Sequence, residues 1–402
     1  MLLESIAWVL VAVSAALMLP TVVLLAQVLL ALLPARSDRR DVFSPNAPRL
    51  RTAVLVPAHN EAAGIAAALQ SMQKQLAPGD RLIVVADNCS DNTAEVASEA
   101  GAEVVERRNL ELRGKGYALD HGIRFLEAAP PDLVLIVDAD CELHPGSLDR
   151  LARLCAQEGR PVQALDLMHA PAGAGLKTRI AAFAWTVKNH ARPLGNHRLG
   201  LPCQLMGTGM AFPWALIRNA PLASGHIVED MRLGLDLAAI GAAPVFCPEA
   251  LVTSVFPSGT QGIAEQRARW EQGHVGVMLT EGPRALWRAL VRGRPALAVM
   301  VLDLGVPPLT MLVLMLVGLA VFDGLFAVVS GNYSPMVFAA GSLAMLGTAI
   351  VLAWWRFGRQ IVSAGELMRA PLYVLSKLPL YARFFRRGKR EWVRAERSDG
   401  NE

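Results

Sequence analysis

The chain has 402 residues, of which 53% are apolar, and its mean hydropathy is +0.35. These values exclude an intrinsically disordered chain and favour a membrane protein. The net charge of +4 comes largely from a basic cluster near the carboxy terminus: Arg383, Arg386, Arg387, Lys389, Arg390 and Arg394. Beside a membrane, such a cluster favours contact with anionic lipid, and nucleic-acid binding is the less favoured alternative.

The first apolar segment, residues 5–34, contains no charged side chain. Its length suits one membrane crossing, with tilt or a kink at Pro20, but it is too short for two crossings. A cleaved signal peptide is the alternative interpretation. The segment is longer than the apolar region of a signal peptide and no basic region precedes it, so we predict a transmembrane helix within residues 1–35.

Two further apolar regions follow, at residues 296–330 and 336–355. Pro307-Pro308 should break a helix in the first of them. The pattern therefore predicts an amphipathic interfacial segment from Trp287 to Leu304 and a membrane crossing from Leu309 to Ser330. With the third region, the chain would cross the membrane three times.

Basic residues set the predicted orientation. Arg36, Arg39 and Arg40 follow the first crossing, and Arg356 and Arg359 follow the third. Basic residues remain on the cytoplasmic side, so the amino terminus should lie outside and both the middle part and the carboxy terminus inside. This orientation predicts a multi-pass protein of a bacterial-type inner membrane, with residues 283–402 holding interfacial helices, two crossings and a basic cytoplasmic tail.

Residues 50–282 are predicted to form one α/β domain. Short β-branched apolar runs recur between segments of helical periodicity, at Ala53–Val56, Leu82–Ala86, Glu103–Val105 and Leu133–Val137. This alternation is typical of a mostly parallel sheet with helices on both faces. The cysteines lack Cys-x-x-Cys spacing, and the histidines lack metal-ligand spacing and a Ser or Cys partner. We therefore expect no disulfide, zinc site or hydrolase triad.

Polar residues follow three of the predicted strands. They are the segment Pro57–Glu61, Asp87-Asn88 and Asp138-Ala139-Asp140. Ligands of parallel sheets bind at the carboxyl ends of the strands, so these clusters should meet at one edge. An Asp-x-Asp directly after an apolar strand can supply a carboxylate to a divalent ion, while the second carboxylate holds a ribose or the ion's water. The segment Arg113–Gly116 opens a helix with small residues and a cation, which suits a diphosphate but also an ordinary loop.

Together these motifs resemble those of membrane-bound family 2 glycosyltransferases with the GT-A fold, which include cellulose, chitin, hyaluronan and poly-N-acetylglucosamine synthases and many exopolysaccharide transferases. The resemblance covers roughly residues 50–282. It rests on Asp87, the Asp-x-Asp motif, Glu229-Asp230, and the Gln-x-x-Arg-Trp motif formed by Gln266, Arg269 and Trp270. Cellulose synthases typically have Thr before the Glu-Asp pair, where this chain has Val228, so the resemblance does not extend to cellulose specifically.

The resemblance implies roles on the donor side of the site. Pro57, Glu61 and Asp87 would hold the uridine or other nucleoside of a nucleotide-sugar, and Lys115 would face its diphosphate. Asp138 would bind both the donor and, with Asp140, a Mg²⁺ or Mn²⁺ ion.

The resemblance also implies roles on the acceptor side. Asp230 would be the catalytic base, and Gly207-Thr208-Gly209 would lie near the acceptor. Acceptor or diphosphate contacts would come from Glu229, Gln266, Arg269 and Trp270. Trp185 and Lys188 either line the acceptor groove or pack at the membrane surface.

The expected function is inverting, metal-dependent transfer of a sugar to a membrane-held saccharide or lipid-linked acceptor. Two alternative functions remain. One is a processive polysaccharide synthase that works as an oligomer or with a partner, and the other is a non-catalytic scaffold of a synthase. A small transporter is disfavoured, since three crossings leave little room for a pathway.

Overall fold

The computed structural model describes residues 1–34, 49–225, 228–257 and 260–376. The chain divides into two compact units, a helical unit and a sheet unit. Among the described residues, the helical unit comprises Met1–Pro34, Ala174–Leu199 and residues 301–376, and the others form the sheet unit. The basic tail after residue 376 and the arginines at 36, 39 and 40 lie outside the described residues.

The described strands all belong to the sheet unit: β1 Thr52–Ala58, β2 Arg81–Asp87, β3 Glu103–Arg107, β4 Leu133–Ile136, β5 Glu142–Leu143, β6 Val162–His169, β7 Met210–Pro213 and β8 Val245–Val255. The described helices of both units are α1 Leu2–Ala31, α2 Ile65–Gln73, α3 Thr93–Glu99, α4 Lys115–Leu126, α5 Ser147–Glu158, α6 Leu176–Thr186, α7 Arg192–Arg198, α8 Trp214–Ile217, α9 Glu229–Ala239, α10 Thr260–Thr280, α11 Gly282–Val291, α12 Pro295–Leu304, α13 Leu309–Ser330, α14 Ser334–Ala353 and α15 Ala364–Ser376. Two π-helices, Val187–Ala191 and Trp354–Gly358, belong to the helical unit.

The eight strands form one sheet in the order β3-β2-β1-β4-β7-β6-β8-β5. Strands β1 to β4 lie at the four predicted positions. The first three extend past the predicted bounds by one or two residues at one or both ends, and β4 ends one residue before Val137. They run parallel to one another, as do β6 and β8, whereas β7 and β5 run antiparallel to their neighbours. The prediction of a mostly parallel sheet is confirmed. The loops after β1, β2 and β4 consequently begin at the same edge of the sheet.

Helices cover both faces of the sheet, as the apolar pattern predicts. On one face α4 buries Leu119 and Ile123 in a cluster that includes Leu55 of β1 and Val85 of β2. The helix lies so close to the strands that a Cβ on Gly122 would come within 2.5 Å of Leu55 Cδ1. Helices α2 and α5 cover the other face. This packing fixes the start of α4, and with it Lys115, at the edge where β1 and β2 end.

One edge strand of the sheet, β5, has only two residues, and side chains from α2 and from the turn after it contact its outer backbone groups. The Leu143 N–H donates to Ser71 Oγ at 3.0 Å, and Gln75 Nε2 donates to the Leu143 carbonyl at 2.8 Å. The opposite side of β5 pairs with β8. The short strand is thus hydrogen-bonded on both sides.

Three helices of the helical unit are long and apolar enough to span a membrane, counting only residues that the structure describes: Leu2–Ala31, Leu309–Ser330 and Ser334–Gly358. The first continues without a break through Pro20, and the second matches the predicted crossing from Leu309 to Ser330. The predicted interfacial segment from Trp287 to Leu304 corresponds to two helices, α11 and α12, interrupted around Gly293.

Buried polar contacts join the helices of this unit. Arg192 Nη2 lies 2.8 Å from Asp303 Oδ1, which also accepts from Gln27 Nε2 at 2.6 Å. A second contact, between Ser14 Oγ and Asp323 Oδ2, measures 2.8 Å. Polar groups buried among apolar helices are costly unless paired, so these contacts specify how the helices align.

Candidate active site

Lys115 is the first residue of α4, and its side chain is the centre of the candidate site. The residue before it, Gly114, has φ 130°, a conformation that favours glycine. A Cβ on the residue after it, Gly116, would collide with the carbonyl oxygen of Leu222. These two glycines let the helix start in tight contact with the 222–225 segment. Lys115 Nζ forms an ion pair with Asp138 and donates to the Gly207 carbonyl at 2.8 Å.

Three carboxyl groups surround this ammonium. Burial alone would lower the pKa of Lys115, but Asp138, Glu229 and Asp230 outweigh burial and raise it above its ordinary value. For the acids the effect of burial is reversed. Burial raises the pKa of Asp138 and of Glu229, and the positive charge of Lys115 lowers both pKa values. The acids predicted from two separate motifs, the Asp-x-Asp and the Glu-Asp pair, therefore share one electrostatic environment, and Lys115 is the cation that balances them.

Gly207 lies against this cluster, and its lack of a side chain leaves the space open. A Cβ there would be 3.5 Å from Asp230 Oδ2 and 3.7 Å from Lys115 Nζ. Its φ of 93° also disfavours any residue with a side chain. The structure thus brings together Lys115, Asp138, Asp230 and the first glycine of the Gly-Thr-Gly loop, as the sequence predicts.

Asp138 and Asp140 form the part of the site that suits a metal ion. Ligand atoms of Asp138, Asp140 and Cys141 lie within 4.8 Å of one another. Burial raises the pKa of the Cys141 thiol well above its ordinary value, so the sulfur stays protonated and is a poor ligand. Two carboxylates beside an open site match the ligands that Mg²⁺ and Mn²⁺ prefer, so the donor set fits the predicted ion.

A buried glutamine, Gln163, holds the Gly-Thr-Gly loop in place. The sequence pattern did not predict this role. Gln163 Nε2 donates to the Thr208 carbonyl at 2.9 Å, and Gln163 Oε1 accepts from the Met206 N–H at 2.8 Å. Thr208 is itself buried, and its hydroxyl accepts from the Asp138 N–H at 3.1 Å. The next residue, Gly209, is also held, because its carbonyl accepts from the N–H of Ala164 in β6 at 2.8 Å. The loop and the Asp-x-Asp segment are therefore held as one piece.

The predicted nucleoside residues lie where β1 and β2 end. His59 Nδ1 contacts the Asp87 carbonyl at 2.7 Å, and the Glu61 N–H donates to Thr93 Oγ1 at 2.8 Å. The polar segment that starts at Pro57 is thereby tied to the loop after β2. This confirms that two of the predicted strand-end clusters meet at one edge.

Asp87 has a partner that sequence reasoning missed. Its Oδ1 lies 2.5 Å from Arg107 Nη1 and accepts from Asn88 Nδ2 at 3.0 Å. Arg107 also donates to the Leu112 carbonyl at 2.8 Å and lies over the ring of Tyr117. An arginine at the end of β3 carried no local signal, because the contact depends on the neighbouring strand β2.

The Gln-x-x-Arg-Trp helix, α10, contacts the segment that precedes the candidate base. A Cβ on Gly273 would lie 2.7 Å from Val228 Cγ1, directly before Glu229 and Asp230. Arg269 and Trp270 are half-buried residues of the same helix, whereas the side chain of Gln266 lies outside the described residues. Trp185 and Lys188 belong to the helical unit, where the ammonium lies 5.2 Å from the indole centroid.

The sheet order and the acidic motifs at the strand ends define a glycosyltransferase of the GT-A fold. The family described as "Glycosyltransferase like family 2" matches residues 48–273, more than half of the chain. The chain therefore belongs to glycosyltransferase family 2.

Similar proteins agree with this assignment. The chain is 34% identical to the probable glycosyltransferase YdaM of Bacillus subtilis over 59% of this chain and 60% of that protein. It is 32% identical to an uncharacterized glycosyltransferase of Mycobacterium tuberculosis over 45% of this chain and 84% of the relative. An uncharacterized protein of Methanocaldococcus jannaschii is 35% identical, and the match spans 42% of that protein. The chain thus matches only about two-fifths to three-fifths of the length of two of these relatives.

One solved structure resembles the whole chain. It is the mannosyltransferase PcManGT from Pyrobaculum calidifontis, in complex with GDP-Man and Mn²⁺, with a TM-score of 0.54 and 18% sequence identity. The similarity covers 94% of this chain and 99% of that chain. At this identity the likeness concerns the fold.

Proposed function

We propose that this chain is an inverting, metal-dependent glycosyltransferase that passes a sugar from a nucleotide-sugar to a membrane-held saccharide or lipid-linked acceptor. The observation that carries the proposal is the convergence of Lys115, Asp138 and Asp230 beside Gly207. Family membership supports the reaction class, and the GDP-Man and Mn²⁺ bound by the similar mannosyltransferase support the choice of donor and ion.

The donor is a nucleoside diphosphate sugar, with a UDP-sugar as the first choice. Among the described residues, Asp87 uses only Oδ1 in its contacts with Arg107 and Asn88, so Oδ2 remains to accept a nucleoside N–H or O–H. Pro57 and Glu61 border the same strand-end region. Lys115 lies at a helix start, where the backbone dipole and the ammonium both favour a diphosphate.

Asp138 and Asp140 would hold Mg²⁺ or Mn²⁺, which when bound offsets the negative charge that develops on the leaving diphosphate. Lys115 and Arg269 would contribute positive charge to the same leaving group from the protein. Such preorganised charge is usually the largest single term in catalysis. The charged groups of the site are therefore placed to assist departure of the nucleotide.

Asp230 removes the proton from the acceptor hydroxyl while that oxygen attacks the anomeric carbon and the diphosphate leaves with the bonding electrons. An α-linked donor then gives a β-linked product. Burial raises the pKa of Glu229 above its ordinary value, so this carboxyl favours its protonated form. We assign the role of base to Asp230, as the family resemblance implies.

We place the catalytic domain on the cytoplasmic side of an inner membrane. The amphipathic helix α11 supports this placement, because Trp287, Leu290 and Val291 are exposed together with the basic residues Arg284 and Arg288. Exposed Trp and Leu beside arginines are typical of a helix that lies at the level of the lipid headgroups. We also propose an interfacial segment from Pro371 to Phe385, most of which lies outside the described residues.

A single subunit would add one or a few sugars. Backbone polar groups must be satisfied within the protein in lipid, so a channel for a polymer needs walls of several helices, and three crossings cannot enclose one. A processive synthase would require an oligomer or a partner. A non-catalytic scaffold is the third possibility, but the described acids of the site are all in place.

The decisive experiment incubates the purified full chain with a panel of nucleotide-sugars, Mn²⁺ and lipid-linked acceptors, followed by mass spectrometry. One donor should raise the mass of the acceptor by one sugar, and NMR of the product should show the inverted linkage. A time course at limiting acceptor separates the alternatives, because short products that appear stepwise support the proposal. Long polymer beside unused acceptor would indicate a processive synthase, and no transfer with any donor would favour a scaffold.

A further inference from the structure

The second π-helix, Trp354–Gly358, ends the third candidate membrane span and carries an unusual pair of arginines. The Arg356 guanidinium lies 5.3 Å from the ring centroid of Phe357, and that of Arg359 lies 5.7 Å from the ring of Trp355. Both arginines are exposed. Neither forms an ion pair with a carboxylate in the part of the chain that the structure describes.

The backbone beneath these arginines is fixed from both sides. A Cβ on Gly358 would lie 2.6 Å from the ring carbons of Phe183, so the π-helix packs directly on α6. Trp354 Nε1 donates to the Val362 carbonyl at 2.7 Å, which closes the turn that follows. π-helices are rare and often mark functional sites. The irregular segment is therefore a packed element of the helical unit.

The two π-helices of the unit touch each other through aromatic rings. The centroid of His190, in the first π-helix, lies 4.8 Å from that of Phe357. Burial, and then the positive charge of Arg356, lowers the pKa of His190 to about 4, so the ring is neutral at neutral pH. The neutral His190 ring and the Arg356 guanidinium both lie beside Phe357, and the two rings are tilted at 53° to each other. Phe357 is therefore held by the first π-helix next to Arg356.

Both guanidiniums are exposed beside an aromatic ring, so their N–H groups are accessible to a ligand. A guanidinium presents its N–H donors as a planar fork. That planar fork matches phosphate oxygens, and two such groups provide two positive charges. A phosphate monoester or a diphosphate carries about two negative charges near neutral pH, whereas the phosphodiester of a common phospholipid carries one.

We propose that Arg356 and Arg359 bind the phosphate monoester or diphosphate headgroup of a membrane lipid, with Trp355 and Phe357 as positioning residues. The position at the end of a membrane span places the site where such a headgroup is found. The proposal concerns binding and does not depend on which sugar is transferred. If the proposed transferase activity holds, a lipid-phosphate acceptor or carrier is the natural occupant.

The test measures binding of polyprenyl phosphate to the purified full chain in detergent, without donor. We expect Arg356→Gln and Arg359→Gln each to weaken binding by about tenfold or more, as loss of a charge-assisted hydrogen bond predicts. Arg369→Gln is the matched control, because Arg369 is an exposed arginine of the same unit with no ring or carboxylate contact among the described residues. It should change the affinity less than about twofold.

Three further arms assign the ligand. Phosphatidylglycerol, a phosphodiester, should bind clearly more weakly than polyprenyl phosphate, and inorganic phosphate should compete with the lipid at high concentration. Trp355→Leu should weaken binding without removing a charge. Equal losses in the Arg369→Gln control, unchanged affinity in an Arg356→Gln/Arg359→Gln double variant, or equal binding of phosphatidylglycerol would each overturn the proposal.

Because donor and transfer are absent from this assay, its result is independent of the proposed enzymatic activity. Thermal unfolding of every variant checks that the helical unit remains folded. Arg356→Lys and Arg359→Lys add a second test, since they keep the charge but lose the planar fork. We expect these variants to bind with intermediate affinity, whereas full wild-type affinity would contradict a guanidinium-specific site.

Discussion

Lys115 and Asp138 form an ion pair that joins the start of helix α4 to the segment directly after strand β4. The same ammonium donates to the Gly207 carbonyl, so three segments of the sheet edge depend on one side chain. The acids around Lys115 would repel one another without it. We therefore expect Lys115 both to hold the acidic side chains of the site in place and to contact the donor's diphosphate.

Replacement of Lys115 by Met should lower kcat/KM by about 10² to 10³, the range found when one group that stabilises developing charge is removed. It should also weaken the binding of nucleoside diphosphate. Lys74→Met, which changes an exposed lysine directly after α2, is the matched control and should leave both quantities unchanged. Kinetics and calorimetry of the two variants make the comparison, and equal behaviour would remove Lys115 from the donor site.

Asp230→Asn should reduce kcat by about 10² to 10⁴, because an amide cannot accept the proton of the acceptor hydroxyl. Binding of nucleoside diphosphate should remain within a few fold of wild type, since Asp230 acts on the acceptor. Asp236→Asn lies two turns further along α9 and serves as the control. Turnover close to wild type in the Asp230 variant would show that another group is the base.

Asp140→Ala should abolish the dependence of nucleotide binding on Mg²⁺ or Mn²⁺ together with activity. The reason is that Asp138 and Asp140 supply the two carboxylates of the proposed ion site. Asp149→Ala removes an acid at the start of α5 and should retain the ion dependence. Calorimetric titration of nucleoside diphosphate with and without Mn²⁺ distinguishes the variants, and an ion-independent wild type would refute the metal site.

Gly122→Ala should lower the free energy of unfolding by about 1 to 3 kcal/mol, as overpacking of a core does. The added methyl would lie 2.5 Å from Leu55 Cδ1 and 2.9 Å from Val85 Cγ2. Gly64→Ala is the control, since no atom lies within 4 Å of its Cβ position. Thermal unfolding should separate the two, and a fall in activity of the folded Gly122 variant would show that α4 moves with Lys115.

The lowered pKa of His190 predicts that the protein loses stability in mild acid. Its pKa is about 4 in the fold and about 6.5 in an unfolded chain, so between these values the unfolded chain binds more protons. The free energy of unfolding should therefore fall as the pH decreases from 7 to 5. His190→Gln should lose less stability over the same interval. Parallel unfolding curves for wild type and variant would contradict a neutral buried imidazole.

Much of the catalytic unit follows from local pattern. The strands β1 to β4 are short apolar runs, and the polar residues after them, such as Asp87 and Asp138, mark the ends at which parallel strands place ligands. The three candidate membrane spans follow from length and hydropathy alone. Local patterns of this kind need no knowledge of which segments become neighbours.

The features that were missed depend on long-range contacts. The role of Gln163 depends on its hydrogen bond to the distant residue Thr208. Arg107 reaches Asp87 only because β3 pairs with β2. The segment Ala174–Leu199 lies within the range predicted for the transferase domain, but it packs in the helical unit. Its apolar residues suit either environment, so periodicity alone does not decide between them.

The two-residue strand β5 has a consequence for how this protein meets other chains. An open sheet edge offers unpaired backbone groups to strands of other chains. On the outer side of β5, Ser71 and Gln75 already occupy the N–H and carbonyl groups of Leu143. A strand of a neighbouring chain therefore cannot pair with Leu143. This edge of the sheet resists edge-to-edge aggregation although no further strand covers it.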